Sequence, residues 1–246
     1  MDFQEILVKF EGVLNKYSED LSSLGIDISI VTTASKKCYN DNGVWNYPTR
    51  PFQISLPFTH IPSKTIPNIL RECEQNLEIT LITKEIKIKI LNQNDIINPI
   101  ESLKFDIIIK CDQYVASWHL DQHEKDENDG VGTYLHPQSH FTFGGYIMEE
   151  ANSEYGNAII MRNPRLMHPP MDMILGIDFI FNQFLPREKL PILEDKVYIA
   201  LMRQVKQLLW KPYLLALANN FCDNWSIETQ DLKFDTKFCE SLIGKH

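Results

Sequence analysis

The chain has 246 residues, of which 43% are hydrophobic and 23% charged, so it can bury a sizeable core without disulfides or a structural metal. Its formal net charge of −9 opposes non-specific binding to duplex nucleic acid, because such binding depends on basic residues that release counterions. No apolar run reaches the roughly 18 residues of a transmembrane helix, and the acidic first residues are unlike a secretory signal.

The cysteines favour a reducing compartment. No C-x-x-C pair of the kind used by structural zinc sites is present, and reduced thiols are typical of cytosolic proteins. We therefore expect a cytoplasmic protein with no membrane partner. The five widely separated cysteines are Cys38, Cys73, Cys111, Cys222 and Cys239.

The N-terminal residues carry a helical pattern. Apolar side chains at helical spacing predict one helix over residues 3–24, with Gly25 as its natural stop. The alternation of isoleucines over residues 26–33 predicts a half-buried strand. Residues 36–51 are rich in Asn, Gly and Pro, which predicts a loop.

The middle of the chain is dominated by β-branched and alternating segments. Lys84 and Glu85 separate two of these segments, which predicts a hairpin with its lysine side in water. Residues 105–110 are apolar enough for a central strand. The predicted strands cover 52–58, 78–83, 86–91, 105–110 and 157–161, with a short helix over 66–76.

The C-terminal part turns helical after Pro170. Residues 171–184 are apolar on most sides, which predicts a helix buried against the sheet. A longer helix is predicted to begin near Glu194, Pro212 is expected to kink or end it, and residues from 229 onward are predicted to be irregular.

These elements predict an α+β fold: a mostly antiparallel sheet with an N-terminal helix and a C-terminal helical layer packed on one face. We expect a single compact domain over residues 1–246. The alternative is two subdomains, an N-terminal α/β part over 1–100 and a histidine-rich sheet with helices over 101–246.

The histidines are concentrated in one segment of the chain. If residues 114–123 form a strand, His119, Asp121 and His123 project to one side, and Trp118 and Leu120 to the other. The apolar pair suits a core, so the polar trio is predicted to face a groove or solvent. The clustered histidines are His119, His123, His136, His140 and His168.

A charged, glycine-containing stretch over residues 124–132 predicts a hairpin loop, after which a second strand returns. On that strand His140 and Thr142 share one face, and Phe141 and Phe143 the opposite face. Pro137 disturbs the pairing beside His136. The hairpin would gather up to four histidines and one carboxylate on one surface.

This grouping permits two kinds of chemistry. Imidazoles titrate near neutrality, so paired histidines can act as general base and general acid in phosphodiester transfer, with Asp121 orienting one ring. No cofactor is predicted, but a divalent metal could be held by His119, Asp121 and His140. The alternative is a structural role, in which polar residues bridge the strands.

A second candidate site lies just before the buried helix. Arg162, Arg165 and His168 stand beside the predicted helix start, whose positive end could help them hold a phosphate or carboxylate. The alternative is that the two arginines pair with nearby acids and the prolines shape a turn.

The segments WHLD at 118–121 and HPQSHF at 136–141 resemble the histidine-rich sheet of TumE-like toxins, small bacterial proteins of toxin–antitoxin pairs. The resemblance covers about a tenth of the chain. It implies a nuclease-like role, with His119, Asp121, His136 and His140 as the positions carried over.

Three functions remain open at this point. The leading one is a hydrolase, a nuclease or phosphodiesterase of bacterial toxin–antitoxin or defence systems that acts on RNA or a nucleotide. Its base would lie on the 119–123 strand and its acid on the 136–140 strand, with Arg162 and Arg165 steadying the phosphorane charge. The alternatives are a non-catalytic interaction protein (an antitoxin, immunity protein or operon scaffold) with a protein partner or as a homodimer, and a metal-dependent hydrolase.

Overall fold

A computed structural model describes residues 2–57, 76–89, 95–112, 114–122, 139–144, 147–148, 166–219 and 233–234. Over these residues the chain has the α+β fold that the sequence predicts, with a mostly antiparallel sheet and helices packed on one face. The helices are α1 (Phe3–Lys16), α2 (Ser18–Ser23), α3 (Ser29–Lys37), α4 (Met173–Phe184) and α5 (Lys196–Asn219).

The main sheet has eight strands in the order β1-β2-β4-β6-β7-β8-β9, and β3 pairs with β4 beside β2. Two further strands, β5 and β10, form a separate parallel pair. The strands are β1 (Tyr39–Asp41), β2 (Val44–Asn46), β3 (Phe52–Leu56), β4 (Leu77–Lys89), β5 (Asp95–Ile96), β6 (Ile100–Cys111), β7 (Tyr114–Gln122), β8 (Ser139–Phe143), β9 (Leu166–Met167) and β10 (Lys233–Phe234).

The first helix is shorter than predicted. It ends at Lys16, and Tyr17 separates it from α2, so the prediction of one helix over residues 3–24 is wrong in its length. Asp2 begins α1 by accepting hydrogen bonds from the backbone N–H groups of Gln4 and Glu5. Tyr17 leaves the helical conformation and donates its hydroxyl proton to Asp195, which stands before α5.

Residues 26–33 do not form the predicted strand, because α3 occupies most of this range. Asp27 accepts a hydrogen bond of 2.8 Å from the backbone N–H of Ser29, which favours a turn of helix at this point. Ile30, Val31 and Ala34 are all buried. That spacing fits one face of a helix, and packing against α1 outweighs the alternating isoleucine pattern.

The predicted loop over residues 36–51 contains a hairpin of β1 and β2. Asn42 and Gly43 form its turn with φ values of 51° and 88°, both in the region that the tight Asn-Gly hairpin turn requires. The Asn-Gly pair is the sequence signal of this hairpin turn. The strands on either side are short and lack the alternating apolar pattern that predicts a strand.

Residues 77–89 form one continuous strand, so the predicted hairpin at Lys84 and Glu85 is wrong. Lys-Glu lacks the Gly, Asn or Pro chemistry of a tight turn. The strand instead stays paired with β6 along its length, with a register irregularity between Lys84 and Lys87. The predicted strands over 52–58 and 105–110 are confirmed as β3 and β6, and β6 is central.

The C-terminal helices are confirmed with one difference. The predicted buried helix is α4, and the longer helix is α5, which continues beyond Pro212 to Asn219 instead of ending there. Packing explains this, because Tyr213 and Ala216 are buried after the proline. The predicted elements over 66–76 and 157–161 lie outside the described residues. Part of the tail predicted to be irregular forms β10.

The helices cover the face of the sheet that carries Leu81, Phe105 and Leu120. Helix α4 approaches this face most closely at Gly176, where an added Cβ would lie 2.6 Å from the Phe105 ring. His119 and its neighbours therefore belong to the opposite face of the sheet, because alternate residues of a strand point to opposite sides. In the part of the chain that the structure describes, no helix is long and apolar enough to cross a membrane.

Candidate functional site

The two histidine-bearing strands lie side by side, as the sequence predicts. Strands β7 and β8 pair antiparallel, with Asp121 opposite His140 and His119 opposite Thr142. Leu120 is buried among the core residues, and Trp118 packs against the same core. This burial fixes the register and places His119, His140 and Thr142 on the other face.

His119 and His140 are diagonal neighbours on that face. Their ring centroids lie 6.4 Å apart, and the ring planes are inclined at 82°. This is the geometry of an edge-to-face ring contact, through which the buried His140 ring can fix the orientation of the His119 ring. Among the predicted site residues whose side chains the structure describes, this is the one pair that it brings together.

The surroundings of this pair are polar and largely buried. His140, Thr142 and Asp106 are each no more than 1% exposed, whereas His119 is partly exposed. Within the part of the chain that the structure describes, the hydroxyl oxygen of Thr142 has no hydrogen-bond partner. Buried hydroxyls nearly always have a partner, so the position beside His119 offers an unsatisfied group to an enclosed water.

Asp106 is a member of this group that the sequence analysis missed. It lies on β6 directly opposite His119, and side chains in such positions have Cβ atoms about 4.5–5.5 Å apart. The signal was a single carboxylate within the apolar run of the central strand. Its value could not be recognised without the register that places β6 next to β7.

Several predicted site residues cannot be placed. His123, His136, Arg162 and Arg165 lie outside the described residues. The backbone of Asp121 is described, opposite His140, but its side chain is not. The roles predicted for these five residues stay predictions.

His168 lies apart from the histidine pair. Its backbone N–H donates to Ser139 O over 3.4 Å, and Ser139 Oγ donates to His168 O over 2.8 Å. Its Nδ1 lies 2.6 Å from the carbonyl oxygen of Pro169, so this nitrogen carries the proton. Burial lowers the pKa of His168, so the ring is neutral at pH 7 and supplies no positive charge to an anion.

The start of α4, where the sequence predicts an anion site, has a capping residue of its own. Asp172 caps this helix, and its carboxylate accepts a hydrogen bond of 2.9 Å from the backbone N–H of Leu175. A residue of the chain itself therefore occupies the positive helix end. The predicted binding of a phosphate or carboxylate by Arg162, Arg165 and His168 beside this helix end stays a prediction. The carboxyl is fully buried, and burial raises its pKa to about 6.

A metal site needs several His, Cys, Asp or Glu side chains that converge on one point. Among the side chains that the structure describes, no group of three or more His, Cys, Asp or Glu residues is arranged to hold a metal ion. The predicted set of His119, Asp121 and His140 includes the side chain of Asp121, which is not among those described. It therefore stays a prediction. The two cysteines in the described ranges, Cys38 and Cys111, are buried and form no disulfide.

Comparisons of the chain with family models, with curated proteins and with solved structures find no match. The resemblance of residues 118–141 to TumE-like toxins stays a prediction, and the function has to be argued from the residues themselves.

Proposed function

We propose that the chain is a nuclease or phosphodiesterase whose acid–base chemistry is centred on the face shared by β7 and β8. The observation that carries this proposal is the partly exposed imidazole of His119, which is supported from the neighbouring strand by the buried His140 ring at a centroid distance of 6.4 Å. Histidine is the side chain whose ordinary pKa allows it both to take and to give a proton near neutral pH. Hydrolysis of a phosphodiester needs both steps.

The two rings differ in what they can reach. His119 is partly exposed, so we assign it the role of the general base, which takes a proton from the attacking water or hydroxyl. His140 is fully buried and cannot touch a substrate in this arrangement. We assign it a positioning role behind His119. The acid expected on the 136–140 strand is then His136, which lies outside the described residues.

Two neighbours support the assignment to His119. Asp106 on β6 and Thr142 on β8 are the residues directly opposite His119 on its two neighbouring strands. A carboxyl group beside an imidazole can hold the ring in one orientation. The Thr142 hydroxyl is only 1% exposed, so it can hold an enclosed water behind His119 but, like His140, does not touch the substrate.

Activity of a purified, untagged chain against single-stranded RNA and against bis(p-nitrophenyl) phosphate tests this proposal. We expect His119→Gln to lower the cleavage rate by at least about a hundredfold, the usual contribution of a positioned acid or base, with an unchanged unfolding midpoint. Lys110→Gln, at an exposed position on the adjoining strand β6, is the control and should cleave normally. Full activity of His119→Gln, or no cleavage by the wild type, would contradict the proposal.

His140 needs a separate test because its burial makes truncation harmful to the fold. At this fully buried position, removal of the ring by His140→Ala leaves a cavity and lowers stability. The informative variant is His140→Gln: a positioning role predicts a shifted pH–rate profile, whereas a purely structural role predicts lower stability with an unchanged profile.

A second candidate function is a non-catalytic interaction protein. It is favoured by exposed apolar side chains at the β8–β9 side of the described sheet: Phe143 and Leu166, on one face, are 49% and 63% exposed, and Met167, on the other face, is 47% exposed. Exposed apolar groups on an edge strand are typical of surfaces that pair with another chain. Co-purification from the native host tests this function. Recovery of the chain alone, together with cleavage activity, would count against it.

The remaining alternative is metal-dependent hydrolysis at the same face. Elemental analysis of untagged protein is the direct measurement, since a tight site retains near-stoichiometric zinc, manganese or iron. Loss of cleavage on addition of a chelator, with recovery on return of the metal, would replace the proposed acid–base pair by His119, Asp121 and His140 as ligands.

A further inference from the structure

A cavity of about 560 Å³ lies between α4 and α5, away from the histidine pair. Its size falls within the range of about 300–1,000 Å³ that is usual for sites of small molecules. It is lined by residues of both helices and by the segment that leads into α4. Neither the resemblance nor the proposed hydrolysis involves this space.

The deep part of the cavity is apolar. Leu175 on α4 and Met202 on α5 both line it and are each no more than 5% exposed. Phe179, one turn further along α4, lines it as well and is partly exposed. These side chains form an apolar floor that would bury a hydrocarbon or an aromatic ring.

The open side of the cavity carries cations. Arg203 is exposed and has no ion pair among the described residues, and Lys206 is partly exposed. The Lys206 ammonium lies 3.3 Å from the Asp178 carboxylate and 5.3 Å from the centre of the Trp210 ring. Asp178 and Trp210 therefore hold Lys206 in place on the cavity wall.

Asp178 stands in the middle of an apolar helix, where an isolated carboxylate is costly. It is satisfied by the Tyr198 hydroxyl at 2.9 Å and the Asn182 amide at 3.0 Å, besides Lys206. A simple tie between α4 and α5 accounts for these contacts. It does not account for the unfilled volume beside them or for the position of Arg203.

The described residues that line the cavity carry a net charge of one positive unit. Asp178 offsets Lys206, His168 is neutral because burial lowers its pKa, and Arg203 is the remaining charged residue among the described lining residues. The excess is local, since the whole chain carries a formal net charge of −9. A monoanion with an apolar body complements a cationic rim above an apolar floor.

We propose that this cavity binds a small carboxylic acid with an apolar body, such as a medium-chain fatty acid. The carboxylate pairs with the Arg203 guanidinium at the rim, and the apolar body packs against Leu175, Phe179 and Met202. The proposal is independent of phosphodiester cleavage at the β7–β8 face, because the two sites share no residue.

Calorimetric titration of the full, untagged chain with octanoate tests the proposal, with octanol and inorganic phosphate as comparison probes. We expect octanoate to bind at least about tenfold more tightly than octanol, because the alcohol lacks the charge, and phosphate alone not to bind measurably. No binding of octanoate, equal binding of octanol, or equal binding of phosphate would overturn the proposal.

A charge-removing variant locates the site. Arg203→Gln should weaken octanoate binding by about tenfold and leave octanol binding unchanged. Because Arg203 is exposed, this variant is expected to fold normally. Arg187→Gln, at an exposed position outside the cavity lining, is the matched control and should bind like the wild type. Unchanged octanoate affinity in Arg203→Gln would overturn the assignment.

Discussion

Asp172 shows how one buried side chain can serve several parts of the molecule. Its carboxyl group caps α4 and also accepts a hydrogen bond of 3.1 Å from the Tyr47 hydroxyl. Tyr47 in turn stacks on Phe3 of α1, with ring centroids 5.6 Å apart. The carboxyl thus connects the start of α4 to the N-terminal helix, in a place where burial opposes its charge.

Burial raises the pKa of Asp172 from 3.8 to about 6, and this makes the stability depend on pH. Between these two values the folded state binds more protons than the unfolded state. The contribution of Asp172 to the free energy of unfolding is therefore fully present below about pH 4 and is lost as the pH rises through 6. A shift of this size corresponds to about 3 kcal/mol.

Asp172→Asn keeps the helix cap and removes this titration. We expect the stability of the variant relative to the wild type to rise between pH 4.5 and pH 7.5, as measured by unfolding midpoints in urea at both pH values. Asp27→Asn, which alters an exposed carboxylate at the start of α3, is the control. The same pH dependence in Asp172→Asn and the wild type would show that Asp172 does not titrate in this range.

Helix α4 packs against the sheet with no space for an added methyl group at Gly176. At Gly176 an added Cβ would lie 2.6 Å from the Phe105 ring and 2.8 Å from Leu81 Cδ2. Neither side chain can move freely, since both are buried in the core. Gly12, on α1, faces open space, and nothing lies within 4 Å of an added Cβ there. The two glycines therefore separate packing from helix propensity.

We expect Gly176→Ala to lower the free energy of unfolding by up to about 2 kcal/mol, because an overpacking cost of about 1–3 kcal/mol exceeds a helix-propensity gain of about 1 kcal/mol. Gly12→Ala should raise it by about 0.5–1 kcal/mol, since the same propensity gain is unopposed. Urea unfolding followed by circular dichroism measures both. A Gly176→Ala variant as stable as the wild type would mean that α4 does not pack this closely on the sheet.

Elements with a strong periodic pattern could be predicted from the sequence. Helix α4 is mostly apolar over 12 residues, and strand β6 contains the apolar, β-branched run at residues 107–109, so length and composition identified both elements. The alternating residues of β7 likewise indicated which side of the strand His119 occupies. Patterns confined to one strand are enough for predictions of this kind.

Other features depend on tertiary contacts that no local pattern contains. The isoleucines before α3 alternate as in a strand, but packing against α1 decides the outcome. The position of Asp106 opposite His119 follows from the register of two strands. The full burial of His140 depends on what lies over the sheet. These facts changed the expected role of His140 and added Asp106 to the candidate site.

For the whole molecule, the core bears on the choice between one domain and two subdomains. One cluster of buried residues extends from Phe3 to Leu209. Contacts also cross the boundary at residue 100: the Phe10 and Tyr198 rings are 6.3 Å apart, and Asp195 accepts from the Tyr17 hydroxyl at 2.9 Å. Strand β4 pairs with β6 across the same boundary. A core shared in this way predicts that neither part is stable alone.

We therefore expect the chain to unfold in urea in one cooperative transition, with coincident midpoints by far-ultraviolet circular dichroism and by tryptophan fluorescence. Trp45 is the one tryptophan of residues 1–100, so Trp45→Phe restricts the fluorescence signal to residues 101–246. If the two parts unfold together, the fluorescence midpoint of this variant still coincides with its dichroism midpoint. Two separated midpoints would instead support subdomains over 1–100 and 101–246, because β4 and β6 would then have parted before the rest of the core unfolded.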